Sequence, residues 1–196
     1  MPLAPLKGVS IHPEWLFAIR KLGKDVENRN YKPTPAMLKL GKDDEWQVAL
    51  HATASIGGVK GYGTRCHTIQ NFVDIVSHTG WSYERHRSED DRKPWGGTHD
   101  PWHKVEFIKY DCATGDTARV IFRPLQEATS AIVAVAKFGS ITTDNPSPWA
   151  FPGRVHWELK EVKFFDKPIP SRGRQRLWTL SEDQRGKIAE QLEGGE

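Results

Sequence analysis

The stretch Val9-Ser10-Ile11-His12-Pro13-Glu14-Trp15-Leu16-Phe17-Ala18-Ile19-Arg20-Lys21-Leu22-Gly23-Lys24-Asp25-Val26-Glu27-Asn28-Arg29 changes its hydrophobic period twice. Val9–His12 reads as a short strand. Pro13 suits a first helical position, and Trp15, Leu16, Ile19 and Leu22 then recur at helical spacing. Arg20 and Lys21 complement the dipole of a last helical turn, and Gly23 supplies a left-handed stop. Asp25–Asn30 is extended again.

Working outward, Trp46–Ala52 alternates: Trp46, Val48, Leu50 and Ala52 share one face, and Gln47, Ala49 and His51 share the other. Residues 56–63 form a glycine-rich loop, and Thr68–Val76 predicts a helix with Ile69, Phe72, Val73 and Val76 on one side. Residues 80–104 carry Trp81, Trp95 and Trp102 among balanced charges and read as a Trp-rich insertion over the surface. Lys104–Tyr110 and Ala118–Arg123 predict strands joined by a turn at Asp111–Asp116. Ala131–Phe138 is nearly all apolar, as a central buried strand is. In Val155–Leu159 the alternation is regular, but its phase slips before Val162 and Phe164, which predicts a bulge near Lys160–Glu161. Arg174–Leu180 reads as a last strand. Ser181 and Gln184 form a capping box opening a C-terminal helix over 181–193. Many short strands with two or three helices predict one α+β, mainly β domain over 1–196: a small barrel with flanking helices.

The chain has 196 residues and a formal net charge of +3. Residues 181–196 hold five acids against two bases, a balance of −3, which leaves +6 on the rest. Seven Lys or Arg against three acids fall within 154–176, a balance that permits an anionic partner such as nucleic acid. No apolar run approaches membrane-spanning length, and the N-terminus lacks the pattern of a signal peptide. Two cysteines, Cys66 and Cys112, are too few for a disulfide scaffold, so a cytoplasmic setting is expected. His99 and His103 are four apart, but Pro101 opposes the helix that would align them, so no metal is expected. The sequence has neither a phosphate-binding Gly-Lys-Ser/Thr loop nor a nucleophile elbow, and no cofactor is expected.

The segment Ser10–Trp15, the short helix and then Gly23-Lys24-Asp25-Val26-Glu27-Asn28-Arg29 resemble the opening of ASCH domains, members of the PUA-like superfamily. His51-Ala52 at a strand end, the strand Ala131–Phe138 and the tail from Trp149 to Trp178 are similar to later parts of that pattern. The resemblance covers most of 8–55 and 128–180. It implies a curved barrel with a cleft next to the first helix, where relatives commonly bind RNA or DNA, sometimes around one modified or extruded base. It also implies an alternative, a small hydrolase of modified nucleosides or of RNA; in this chain Lys24 and Glu27 would then carry proton transfer or electrostatic stabilisation, with His51 or Ser10 assisting. The amidohydrolase group has Thr three residues after its Lys. This chain has Glu27 there.

Each candidate residue admits two readings. Lys24 either closes a helix C-terminus or meets a phosphate or base carbonyl. Glu27 beside it stabilises the ammonium form, which favours binding over base catalysis. Glu27 and Arg29 face one side of an extended segment, as a bracing ion pair or as ligand contacts. Ser10 and His51 lie opposite the apolar residues of their strands, and Thr53 follows His51; all three are candidates for a cleft. Trp149, between Pro148 and a Phe-Pro-Gly turn, is a candidate stacking ring. Arg172 and Arg174, with Arg176 in the same spacing, form either a solvated face or a phosphate track. Together these residues predict a module recognising RNA or another single-stranded or modified nucleic acid. The oligomeric state is left open.

Overall fold

The computed structural model describes residues 7–33, 46–54, 62–86, 104–123 and 127–194, with the side chains of 62–68 and 86 left aside. The described residues are mainly β, and the larger sheet curls into a half-barrel. The chain divides into two compact units, one of Met1–Ile11, Gly23–Ala54 and Ala128–Glu196, the other of His12–Leu22 and Ser55–Glu127.

The first unit holds strands β1 (Lys7–Ile11), β2 (Val26–Arg29), β3 (Val48–Ala52), β7 (Ala131–Thr142), β8 (Val155–Pro170) and β9 (Leu177–Thr179), with helix α3 (Glu182–Glu193). The strand order is β2-β8-β7-β3-β1-β9. β1 and β3 run parallel with Ser10 opposite His51, and the other neighbours are antiparallel. β7 lies inside the sheet, and Ala131–Ala136 are all buried, which accounts for its unbroken apolar run. Opposite the step from Lys137 to Phe138, β8 advances from Glu161 to Leu159, so Lys160 is the extra residue of a bulge. Ile188 and Leu192 of α3 pack with Ala49, Ile132, Val135, Phe165, Ile169, Trp178 and Leu180 in one apolar cluster. Ser181 and Gln184 form a complete capping box at the start of α3.

The second unit holds helices α1 (Pro13–Lys21) and α2 (Tyr62–Ser77) and strands β4 (Ser82–His86), β5 (Lys104–Tyr110) and β6 (Thr117–Phe122), the strands in the order β4-β5-β6. Its core is aromatic. Phe17 lies 4.7 Å from Phe122, and Phe72 lies 5.3 Å from Phe122 and 5.8 Å from Phe107, between ring centroids. Ile69, Phe72, Val73 and Val76 of α2 are all buried. Part of the expected insertion is regular structure: Ser82–His86 pairs with β5, and Trp81 is buried with its indole N–H donating to Leu22 O at 3.3 Å. Residues 87–103, with Trp95, Trp102, His99 and His103, lie outside the described residues, as do 56–61 of the expected glycine-rich loop; its last two residues, Tyr62 and Gly63, are instead the start of α2. Among the described residues no helix is long and apolar enough to cross a membrane.

Candidate functional site

β2 turns Glu27 and Arg29 to the same side, because alternate residues of a strand share a face. Glu27 Oε1 lies 3.0 Å from Arg29 Nε, and Glu27 Oε2 lies 3.9 Å from Lys24 Nζ. Lys24 is 4% exposed and Glu27 8%, so both charges are largely removed from water. The Lys24 ammonium also donates to Val26 O. Burial holds the Lys24 pKa below the usual lysine value, with Glu27 and Asp25 pulling it back up. Arg29 reaches further: its Nη2 donates to Ser10 O at 2.9 Å, and its guanidinium lies 5.9 Å from the centroid of the Trp157 ring.

Beside Arg29 a recess of about 830 Å³ opens to solvent. Every described residue of its wall belongs to the first unit. β1 contributes Ser10. Arg29 and the following Asn30 and Tyr31 come from the end of β2, and His51, Thr53 and Ala54 come from the end of β3. Ser130 and the 172–176 loop between β8 and β9 complete the wall. Thr53 N–H donates to Ile11 O at 3.0 Å and Ser130 N–H to Thr53 O at 3.3 Å, which ties these strand ends together.

His51 and Ser10 form the floor where the loop crosses. His51 Nε2–H donates to Ser171 O at 2.9 Å, which leaves Nδ1 unprotonated in the neutral ring, 3.4 Å from Ser10 Oγ. The Ser10 hydroxyl donates to Arg174 O at 2.9 Å. Burial pushes the His51 imidazole below its ordinary pKa, an effect the Ser171 carbonyl partly offsets. Gly173 passes so close that a Cβ there would run into the His51 ring and fall 2.7 Å from Ser10 Oγ. Ser171 is held twice more: its N–H donates to Ser130 O at 2.9 Å, and its hydroxyl accepts from Gln184 Nε2 at 2.7 Å. Gln184 is also the reciprocal residue of the α3 capping box, so the helix start and the recess loop share a side chain.

Four arginines, Arg29, Arg172, Arg174 and Arg176, line the recess, and no carboxylate is among its described wall residues. Tyr31 stands edge-on to the Trp157 ring at 5.7 Å, and the Arg176 guanidinium lies 5.8 Å from the Tyr31 centroid. The Tyr31 hydroxyl is buried without a hydrogen-bond partner among the described residues, and burial raises its pKa.

Of the residues singled out from the sequence, the structure places Ser10, Arg29, His51, Thr53, Arg172 and Arg174 around this one recess. Lys24, Glu27 and Trp149 are not among its wall residues. Trp149 is 3% exposed, with its carbonyl accepting from Asn28 Nδ2 at 2.9 Å, so its ring is part of the packing of the first unit. Tyr31 was not singled out. The signal was present: it stands two residues after Arg29, as Arg29 does after Glu27. Among the described residues no group of three or more His, Cys, Asp or Glu is placed to hold a metal ion. In comparisons with known proteins, no family model matches the chain and no curated protein is similar to it.

Proposed function

We propose that the first unit is an ASCH-like, PUA-like module that binds nucleic acid, taking single-stranded RNA or an unpaired or modified base into the recess. The observation that carries this reading is the recess wall itself: four arginines and no described carboxylate, where Ser10 and His51 hold the 171–174 loop in place. The guanidinium forks suit phosphate oxygens. The recess volume of about 830 Å³ is within the usual range for small-ligand sites and leaves space for a nucleotide. The resemblance of Lys24–Arg29 to the ASCH opening supports the same assignment.

A hydrolase would need its proton-transfer groups at the ligand. Ser10 and His51 are in the wall but are bonded to the 171–174 loop, while Lys24 and Glu27 are not in it and each has the other within ion-pair distance, an arrangement that favours bracing Arg29 over chemistry. The test is a titration of labelled single-stranded RNA at low salt. The expected result is binding that weakens with salt and loses about one phosphate contact's worth of salt slope for each of Arg172→Ala and Arg174→Ala. Absence of binding at low salt, or binding indifferent to those changes and to Arg29→Ala, would remove the reading.

A further inference from the structure

We infer that Tyr31 is the ring on which the bound strand stacks a base, and that Arg176 rests on this ring in the free protein and leaves it to meet the adjacent phosphate. The inference rests on the nucleic-acid reading above and assigns a part to two residues of that site.

Three observations support it. Among the described residues, two that are not glycine have positive φ, Ser130 at 51° and Arg176 at 61°, and both line the recess. A side chain makes that conformation unfavourable, and strain of this kind persists where the surrounding structure imposes it. Second, the Arg176 guanidinium sits over an aromatic ring rather than on a carboxylate, 5.8 Å from the Tyr31 centroid. A cation over the half-buried Tyr31 ring, with its own side chain in solvent, gains little from the contact and is exchangeable. Third, Tyr31 is backed by packing: its ring abuts the fully buried Trp157 at 5.7 Å and 84°, while Arg176 is exposed and outside the strand ladder. A backed ring beside an exposed cation suits a flat aromatic group joined to an anion: the base takes the ring and the phosphate takes the guanidinium.

The experiment compares two labelled probes of about eight nucleotides, a single-stranded RNA and an abasic strand of the same length. Binding is read by fluorescence anisotropy for the wild type, Tyr31→Leu, Tyr31→Phe and Arg176→Gly. The wild type is expected to prefer the RNA by about tenfold or more. Tyr31→Leu removes that preference and leaves the abasic strand within about twofold of wild type, while Tyr31→Phe, which keeps the ring, stays within about threefold for both. Arg176→Gly relieves the left-handed residue, so its melting temperature does not fall. It weakens both probes about threefold or more and lowers the salt slope by about 0.7. Equal affinity for the two probes, an undiminished RNA preference in Tyr31→Leu, or unchanged binding in Arg176→Gly overturns the inference and leaves the broader reading standing. If the wild type binds neither probe at low salt, both fall. Should Tyr31→Leu melt early, the probe preference of the wild type and the behaviour of Arg176→Gly still decide.

Discussion

Glu27 Oε1 stands 3.0 Å from Arg29 Nε, while the other oxygen of the same carboxylate lies 3.9 Å from the buried Lys24 ammonium. One acid thus serves two cations, and the Coulombic gain of each pair depends on it. Glu27→Gln deprives a cation that is 4% exposed of the larger of its two carboxylate attractions, Asp25 supplying the other. A loss of about 3–5 kcal/mol is expected in urea denaturation, the cost of breaking a buried pair from one side. Lys24→Met removes the charge together with its desolvation cost and is expected to be milder. Combining it with Glu27→Gln should recover much of the loss, because the two sites are coupled.

The imidazole of His51 gives acid sensitivity with a definite sign. Its folded pKa is lowered by burial, so the unfolded chain binds the proton more readily. The associated stability is fully present above the ordinary imidazole value of about 6.5 and is lost as pH falls through the folded value. Partial desolvation raises the pKa of the half-buried Glu127 carboxyl, so its contribution runs the other way: present at low pH and lost as pH rises through its folded value. Comparison of wild type with His51→Gln isolates the histidine. Urea midpoints between about pH 8 and pH 5 should drop further for wild type than for the variant. A parallel decline in both would show that His51 titrates alike folded and unfolded.

Gly173 is required by space and not by backbone angle, since a Cβ there would meet the His51 ring and Ser10 Oγ. Both neighbours are anchored by hydrogen bonds and cannot retreat freely. Gly173→Ala is expected to cost about 1–3 kcal/mol as overpacking, or to lift the loop off the recess floor. A thermal melt measures the first, and faster exchange of the Ser171 amide reports the second.

The cap of α3 links helix stability to the same loop. Ser181→Ala should lower stability by about 1 kcal/mol through the lost N-cap. Gln184→Ala removes the reciprocal half of the box and the 2.7 Å bond to Ser171 Oγ as well. It is expected to raise exchange at the Ser171 amide, whereas Ser181→Ala should not do so to the same degree.

Local signals were legible where one physical effect dominates. The capping box follows from side-chain chemistry, the bulge at Lys160 from a slip of period, and the β7 interior from an apolar run with no polar face. Arg172, Arg174 and Arg176 show the limit. Spaced two apart they imitate a strand, but 171–176 is a loop, with Arg176 at φ 61° and regular pairing from Leu177 only. Their common direction comes from the loop's path across Ser10 and His51, a tertiary fact. The burial of Trp149 and Lys24 was likewise invisible, because an aromatic near proline and a lysine after a helix are equally at home in water. The parallel pairing of β1 with β3 leaves no local trace at all.

The two units alternate along the chain, the second being drawn from His12–Leu22 and Ser55–Glu127 and the first from what lies around them. On the ribosome, every segment of the second unit has been made by Glu127. β2 must wait for β8, and the outer edges of the β1–β3 pair must wait for β9 and β7, before the sheet is complete. Unpaired strand edges of the nascent first unit are therefore exposed until those strands emerge, and a single cut or truncation cannot release either unit whole.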